Sequence, residues 1–305
     1  MSPALNLFLH QLLNGLTIGM VYALIALGYT MVYGVIQLIN FAHGEVFMAG
    51  AYLALTALWI SAAVMPGAPF WLVLPFVLVF SMAGSCVLGA LVEKIAYKPL
   101  RRSPKLTALI TSIGVSFFLQ NAVMLIYGAK EQSVPEAVPL THLRLGPVSL
   151  SLSQIILFSV STGLLIFLTW FVKNTRTGKA MRATAENPEA AQLVGISVDR
   201  IILTTFVIGS ALAAVGGSLF ALNYGSINFH DGYLAGLKAF TAAVFGGIGS
   251  IPGAMLGGIF LGVFEAMGAG YISSEWKDVF AFLLLGIMLI VRPSGILGEN
   301  VREKV

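Results

Sequence analysis

The sequence is poor in charge and nearly free of cysteine. Charged residues make up 10% of its 305 positions, against roughly a quarter in soluble domains, so a soluble globular protein is excluded. A single cysteine, Cys86, falls inside an apolar run, which rules out an internal disulfide and a dithiol redox centre. The four histidines, His10, His43, His142 and His230, stand far apart at spacings that match no metal-ligand motif. There is no H-E-x-x-H and no G-x-S-x-G, and Gly178-Lys179 lacks the upstream glycine of a phosphate-binding loop. A hydrolase, metalloenzyme or ATPase has no residues to rest on, and no cofactor or metal is expected.

What is present is apolar: 58% of residues are hydrophobic and the mean hydropathy is +0.91. Apolar runs of about 20 residues recur from end to end, each long enough to cross a bilayer core as a helix. The fold class is therefore an all-α polytopic membrane protein, with one membrane domain over residues 1–305. The net charge of +4 does not point to nucleic acid, because the basic residues cluster in loops beside spans, where they set orientation. The first apolar segment lacks a basic leader and is too long for a cleavable signal peptide, so it is expected to remain as the first span.

Spans are read at 10–33, 41–64, 70–95, 106–127, 152–172, 201–224 and 279–291, with a glycine-interrupted region at 233–270. Three basic clusters belong inside: Lys94, Lys98, Arg101, Arg102 and Lys105; Lys173, Arg176, Lys179, Arg182 and Arg200; and Arg292, Arg302 and Lys304. They place the N-terminus outside and require the region 233–270 to cross twice or to re-enter as a pair, with a turn at 249–252. Eight or nine transmembrane segments are expected. The loop 128–151, holding Lys130, Glu131, Glu136 and Arg144, lies outside and can serve as a docking rim.

Residues 173–200 form the one long polar run. Asn187 is a fitting N-cap, Pro188 suits the first helical position, Glu189 lies in the first turn and Gly195 supplies the stop. So short a helix is not stable alone; it must pack against something, and a cytoplasmic protein is one candidate.

The chain also repeats itself. A shift of 188 residues aligns 23–28 (ALIALG) with 211–216 (ALAAVG), and 39–44 (INFAHG) with 227–232 (INFHDG), without a gap. Five spans separate the copies, an odd number, so the repeat is inverted in the membrane: repeat one about 10–128 and repeat two about 201–292. Inverted repeats place a site near their interface and open it alternately to the two sides. Candidate pathway or gate residues are thus Asn40, Phe41, His43, Gly44 and Glu45 in the first copy, and Asn228, Phe229, Asp231 and Gly232 in the second. Asn40 and Asn228 stand where N-caps do, between one apolar span and the next. These residues either cap helices or contact solute. Lys238 and Glu265 are ionisable groups within apolar stretches, functional candidates by position or side chains that snorkel outward. The glycine ladders at Gly15 and Gly19, and at Gly249, Gly253, Gly257, Gly258 and Gly262, are expected to serve close helix packing.

Residues 15–34 (GLTIGMVYALIALGYTMVYG), 39–45 (INFAHGE), 239–254 (AFTAAVFGGIGSIPGA) and 293–298 (PSGILG) resemble the permease subunits of bacterial high-affinity branched-chain amino acid ABC importers. The likeness covers essentially the whole chain. It implies an inner-membrane permease moving Leu, Ile or Val inward together with a second, related permease subunit, two cytoplasmic ATPase subunits and an extracytoplasmic solute-binding protein. Residues 189–195 (EAAQLVG) then match the E-A-A-x-x-x-G coupling motif, with Glu189, Ala190, Ala191 and Gly195 as contacts to an ATPase. The Leu-Pro usual further on is absent, Leu203-Thr204 standing after Ile201. The same architecture carrying urea or an amide is the first alternative. An ion-coupled secondary transporter using Glu45, Asp231, Lys238 or Glu265 is the second, and a membrane enzyme the third.

Overall fold

The structure is a computed structural model that describes residues 3–298 except 102, 140, 146 and 147; at 3, 144, 145 and 148 it describes the backbone alone. Of the basic clusters, Arg102, Arg302 and Lys304 therefore lie outside the described residues, as does the side chain of Arg144.

Among the described residues eleven α-helices follow one another: α1 (Pro3–Ile36), α2 (His43–Val64), α3 (Phe70–Val92), α4 (Lys105–Tyr127), α5 (Leu152–Asn174), α6 (Arg176–Glu186), α7 (Pro188–Leu193), α8 (Val198–Tyr224), α9 (Asp231–Gly246), α10 (Ile251–Tyr271) and α11 (Lys277–Val291). Among the described residues seven of them, α1, α2, α3, α4, α5, α8 and α10, are long and apolar enough to cross a membrane. The region 233–270 resolves into α9 and α10, broken by residues 247–250. Ser250 caps α10 by accepting from the Gly253 amide at 3.2 Å. At 16 and 15 residues, α9 and α11 are about 24 and 22 Å long, short of the ~30 Å hydrocarbon core.

Among the described residues four short strands accompany the helices. In the loop between α4 and α5, β2 (His142–Leu145) and β3 (Val148–Ser151) form a hairpin, and β1 (Gln132–Ser133) pairs antiparallel with β4 (Ser226–Ile227). The loop is thereby tied to the chain leading into α9.

At the centre lies α1, which packs most extensively on α10. The glycine ladders make this contact: a Cβ on Gly15 would fall 2.6 Å from the Val263 Cα, and one on Gly258 would fall 2.5 Å from the Ala23 Cα. Only glycine allows such an approach. Gly249 departs from the ladder reading, since it sits in the turn at φ +97° and a Cβ there would meet nothing within 4 Å; its role is conformational. α1, α2 and α8 are mostly buried within the protein, whereas α3, α4 and α5 turn most of their side chains outward.

The polar run 173–200 holds two helices, not one. Thr175 caps α6 by accepting from the Gly178 amide, and α6 buries Gly178, Met181 and Thr184 at helical spacing. α7 follows as expected: Asn187 Oδ1 accepts from the amides of Glu189 and Ala190 at 3.0 Å each, Pro188 opens the helix, and Gly195 ends it at φ +85°.

Candidate functional site

The two copies of the internal similarity adopt the same local course. α1 ends at Ile36 and α8 at Tyr224. Each is followed by a left-handed residue, Gln37 at φ +52° and Gly225 at φ +73°. Each then makes an Asx turn: Asn40 Oδ1 accepts from the Ala42 amide at 3.1 Å, and Asn228 Oδ1 from the His230 amide at 3.0 Å. The helices that follow start at His43 and Asp231, with Ala42 and His230 in the capping positions. Asn40 and Asn228 therefore stand two residues ahead of the caps, because an asparagine side chain closes a turn onto the amide two residues on. Every one of these paired positions is 188 residues apart.

Both connecting segments fold back along the helix that precedes them. Ile39 lines one small cavity with Tyr33, and the His43 ring meets Tyr29 at 4.9 Å and lies so close to Gly28 that a Cβ there would overlap it. α2 thus begins beside residue 28, eight residues or about 12 Å before the end of α1. In the second copy Ile227 and Phe229 share an apolar cluster with Ala221.

The starts of α2 and α9 meet. A Cβ on Gly44 would fall 2.8 Å from the Gly236 Cα, and one on Gly232 would fall 2.7 Å from the Met48 Cβ. Gly44 and Gly232 also touch each other. As the numbering rises along α2 it falls along α9, so the two helices cross antiparallel with their N-terminal turns at one point. α1 and α8 run antiparallel as well, since Gly28 lies on Gly209 while Leu24 lies on Gly216.

On the first copy's side of this crossing the side chains are buried and polar, while Asn228 and Asp231 are half-buried and His230 is exposed. Asn40 is 4% exposed, and His43 and Glu45 are 1% exposed each. Ser116 of α4 donates to Glu45 Oε1 at 3.0 Å. Among the described residues Glu45 Oε2 and His43 Nε2 have no hydrogen-bond partner, an expensive condition for buried polar atoms. Asp231 accepts from the Asn228 amide at 2.7 Å, and the His230 ring meets Gln120 at 2.7 Å and Phe229 at 4.0 Å. Beside the crossing lies a cavity of about 220 Å³ lined by Tyr29, Phe41, Ser116, Phe117, Tyr233 and Leu237, among others. It pairs an apolar wall with the hydroxyl that holds Glu45, and two helix N-termini add positive potential nearby. Such a site suits a small amphipathic solute bearing charge.

Lys238 and Glu265 do not snorkel. Their side chains are 6% exposed each and form an ion pair at 2.7 Å. Asp278 of α11 adds a second carboxylate 2.6 Å from Lys238, and the Tyr22 hydroxyl donates to Glu265 at 2.9 Å. Sequence reasoning missed Asp278, although an acidic residue at the head of an apolar run is a signal. It missed Tyr29 and Ser116 as well, for which one sequence carries no signal. Glu189, Ala190, Ala191 and Gly195 lie together on α7 and its stop; Ala191 is buried, and Leu193 and Val194 are 89% and 75% exposed.

Residues 11–290 match the family described as branched-chain amino acid transport system, permease component. The chain is 48% identical over 308 residues to the high-affinity branched-chain amino acid transport system permease protein BraD of Pseudomonas aeruginosa, covering 99% of this chain and 100% of that one. It is 46% identical to the corresponding protein LivH of Escherichia coli K12, over the full length of both. A probable branched-chain amino acid transport permease protein, LivH of Methanocaldococcus jannaschii, is 30% identical over 91% of this chain and 88% of its own. No solved structure matches. Full-length identity of this order, the family match and the apolar helices lead to one conclusion: the chain belongs to the family of branched-chain amino acid transport permease components.

Proposed function

We propose that the chain is the membrane subunit of an ATP-driven importer that carries Leu, Ile or Val into the cytoplasm of a bacterial cell across its inner membrane. The observation that carries the reading is the meeting of two helix N-termini at Gly44 and Gly232 beside the Glu45 carboxylate and the 220 Å³ cavity. An amino acid is a zwitterion with a side chain. Its carboxylate is drawn to helix N-termini, its ammonium group to Glu45, and a branched aliphatic side chain to Phe41, Phe117 and Leu237. The same place would reject a solute with no cationic group.

The matching course of the two copies and the antiparallel crossings support an inverted repeat, residues 10–128 and 201–292, with α9 and α10 as the second copy's short crossings and eight or nine segments in all. Helices broken at mid-depth, with their N-termini aimed at a solute, are the usual construction of such transporters. Asn40, Phe41 and His43 then belong to the inner gate, and Asn228, Phe229 and Asp231 to the outer one, where β1 ties the outer loop to the turn. That loop offers a rim for a solute-binding protein. A second, related permease completes the membrane part.

The chain is a transport subunit and not an enzyme, so the free energy of uphill transport enters through partners. α7 presents Leu193 and Val194 to the cytoplasm for docking on the two ATPase subunits, through the coupling loop 173–200. A solute moves an alternating-access equilibrium only through its differential affinity for the two states, and ATPase closure acting on α7 works the same lever.

The test is purification of the tagged chain from its native membrane in mild detergent, with ATP hydrolysis measured on the bound material. ATPase activity is expected with the natural sequence and is expected to be lost in Glu189→Arg, whose reversed charge stands at the helix N-terminus. A folded chain that purifies without ATPase and takes up leucine in vesicles under a proton gradient alone would overturn the reading.

A further inference from the structure

The head of α8, which follows the cytoplasmic helix α7 in the chain, is joined to the start of α2 by ion pairs, one π-helical turn and hydrogen bonds, and the members lie outside the candidate pathway until the last. Six residues after the end of α7, Asp199 stands in the first turn of α8. It is held by Lys98 at 3.2 Å and by Arg101 at 2.5 Å. The Arg101 guanidinium also pairs with Glu93, whose carboxylate is 2% exposed.

Glu93 opens a π-helical turn, Glu93–Tyr97, that continues α3, and Tyr97 closes it. The Tyr97 hydroxyl donates to Asn40 Oδ1 at 3.0 Å, and its ring packs on Phe206 of α8 at 5.0 Å. The same Asn40 oxygen receives the Ala42 amide and so holds the turn from which α2 starts.

We propose that Arg101 and Tyr97 are positioning residues of the transport cycle, carrying displacement of α7 and the head of α8 through the π turn to the Asn40 turn. The proposal rests on the reading of α7 as the ATPase contact.

The physical argument has three parts. A buried carboxylate cannot be left without its cation at small cost, so Glu93 follows Arg101 when Asp199 moves. A π turn has an alternative, the α-helical register, and such turns concentrate at functional sites; coupling needs an element with two discrete arrangements. Finally, the Tyr97 to Asn40 bond is buried, so shifting Tyr97 either drags the Asn40 turn or strands a buried acceptor. The ion-pair end at Asp199 is half exposed to solvent, whereas the Glu93 and Tyr97 end is dry, which makes it stiff.

The experiment uses the whole importer, reconstituted in liposomes with its ATPases, second permease and solute-binding protein, and measures radiolabelled leucine taken up per ATP hydrolysed. Tyr97→Phe removes the hydroxyl alone, and Asp199→Asn removes an exposed charge, so both variants are compatible with folding. Tyr97→Phe is expected to lower the uptake-to-ATP ratio about fivefold, the scale of one lost buried hydrogen bond, and Asp199→Asn about threefold, the scale of an exposed ion-pair network. The double variant is expected to match the worse single variant within about twofold, because separate sites that act independently would multiply instead.

A ratio unchanged in Tyr97→Phe, or effects that multiply in the double variant, would overturn the relay. Glu189→Arg run alongside separates the two ideas. If that variant keeps its ATPase, the α7 reading has failed; if it loses its ATPase while Tyr97→Phe keeps a normal ratio, only the relay has failed.

Discussion

Glu45 is the residue on which a charge-based account of solute selection stands or falls. One of its oxygens is satisfied by Ser116, and the other has no partner among the described residues beside the crossing of α2 and α9. Glu45→Gln keeps the volume and an acceptor for Ser116 while removing the charge. Leucine uptake by the reconstituted importer is expected to fall about tenfold, the scale of one charge-assisted hydrogen bond, with ATP hydrolysis by the complex retained. Uptake at the original rate would remove Glu45 from the pathway. Much of this was legible in the sequence: the repeated I-N-F motif singled out residues 40–45 and 228–232 as equivalent. Their mutual contact was not legible, since Gly44 and Gly232 are 188 positions apart and only the packing of α2 on α9 brings them together. Ser116 was hidden for the same reason, as one of two serines on an apolar helix.

At the scale of the element, α7 shows how far local rules reach. Its cap, its proline, its first-turn acid and its terminal glycine were all legible, because each acts within a few residues of chain. Its exposed tip was not, because exposure depends on what α6 and α8 cover. Asn187→Ala strips the cap from both amides it satisfies, at a cost of about 1 kcal/mol. A six-residue helix has little to set against that loss. ATPase co-purifying with this variant is expected to decrease while the far-ultraviolet circular dichroism of the chain stays at its original level. Equal ATPase recovery would show that α7 does not need its own cap to dock. α6 escaped the sequence reading because its apolar positions, Met181 and the small residues beside it, are too few to announce a buried face.

Across the whole molecule the packing of α9 and α10 on α1, and of α11 on α9 and α10, is pinned by ionic groups in an apolar setting. Lys238 stands between Glu265 and Asp278, with Tyr22 on the far side of Glu265. Removing one partner of such a group strands the other. Lys238→Met is therefore expected to lower stability by about 3–5 kcal/mol, and the double variant Lys238→Met with Glu265→Met to recover most of it. Unfolding midpoints in detergent check both. A double variant no more stable than the single one would show that the group is held for something other than its mutual neutralisation. The carboxyl-terminal segment adds a second tie: the amides of Ile296 and Leu297 donate to the carbonyls of Phe245 and Gly246 at 2.9 Å each, closing the otherwise open end of α9.

Hydrophobic content, the scarcity of charge and the spacing of apolar runs determined by themselves that the chain is a helical membrane protein, and basic loops and cap residues determined where its helices turn. These follow from sequence because transfer into a bilayer and the start of a helix are decided over a few to about 20 residues. The tertiary structure alone decided that two segments fold back along their own helices, that α2 and α9 begin at one point, and that Lys238 is paired instead of reaching for the surface. Contacts of this kind depend on which glycines lie opposite each other across the bundle. No window of sequence contains both partners.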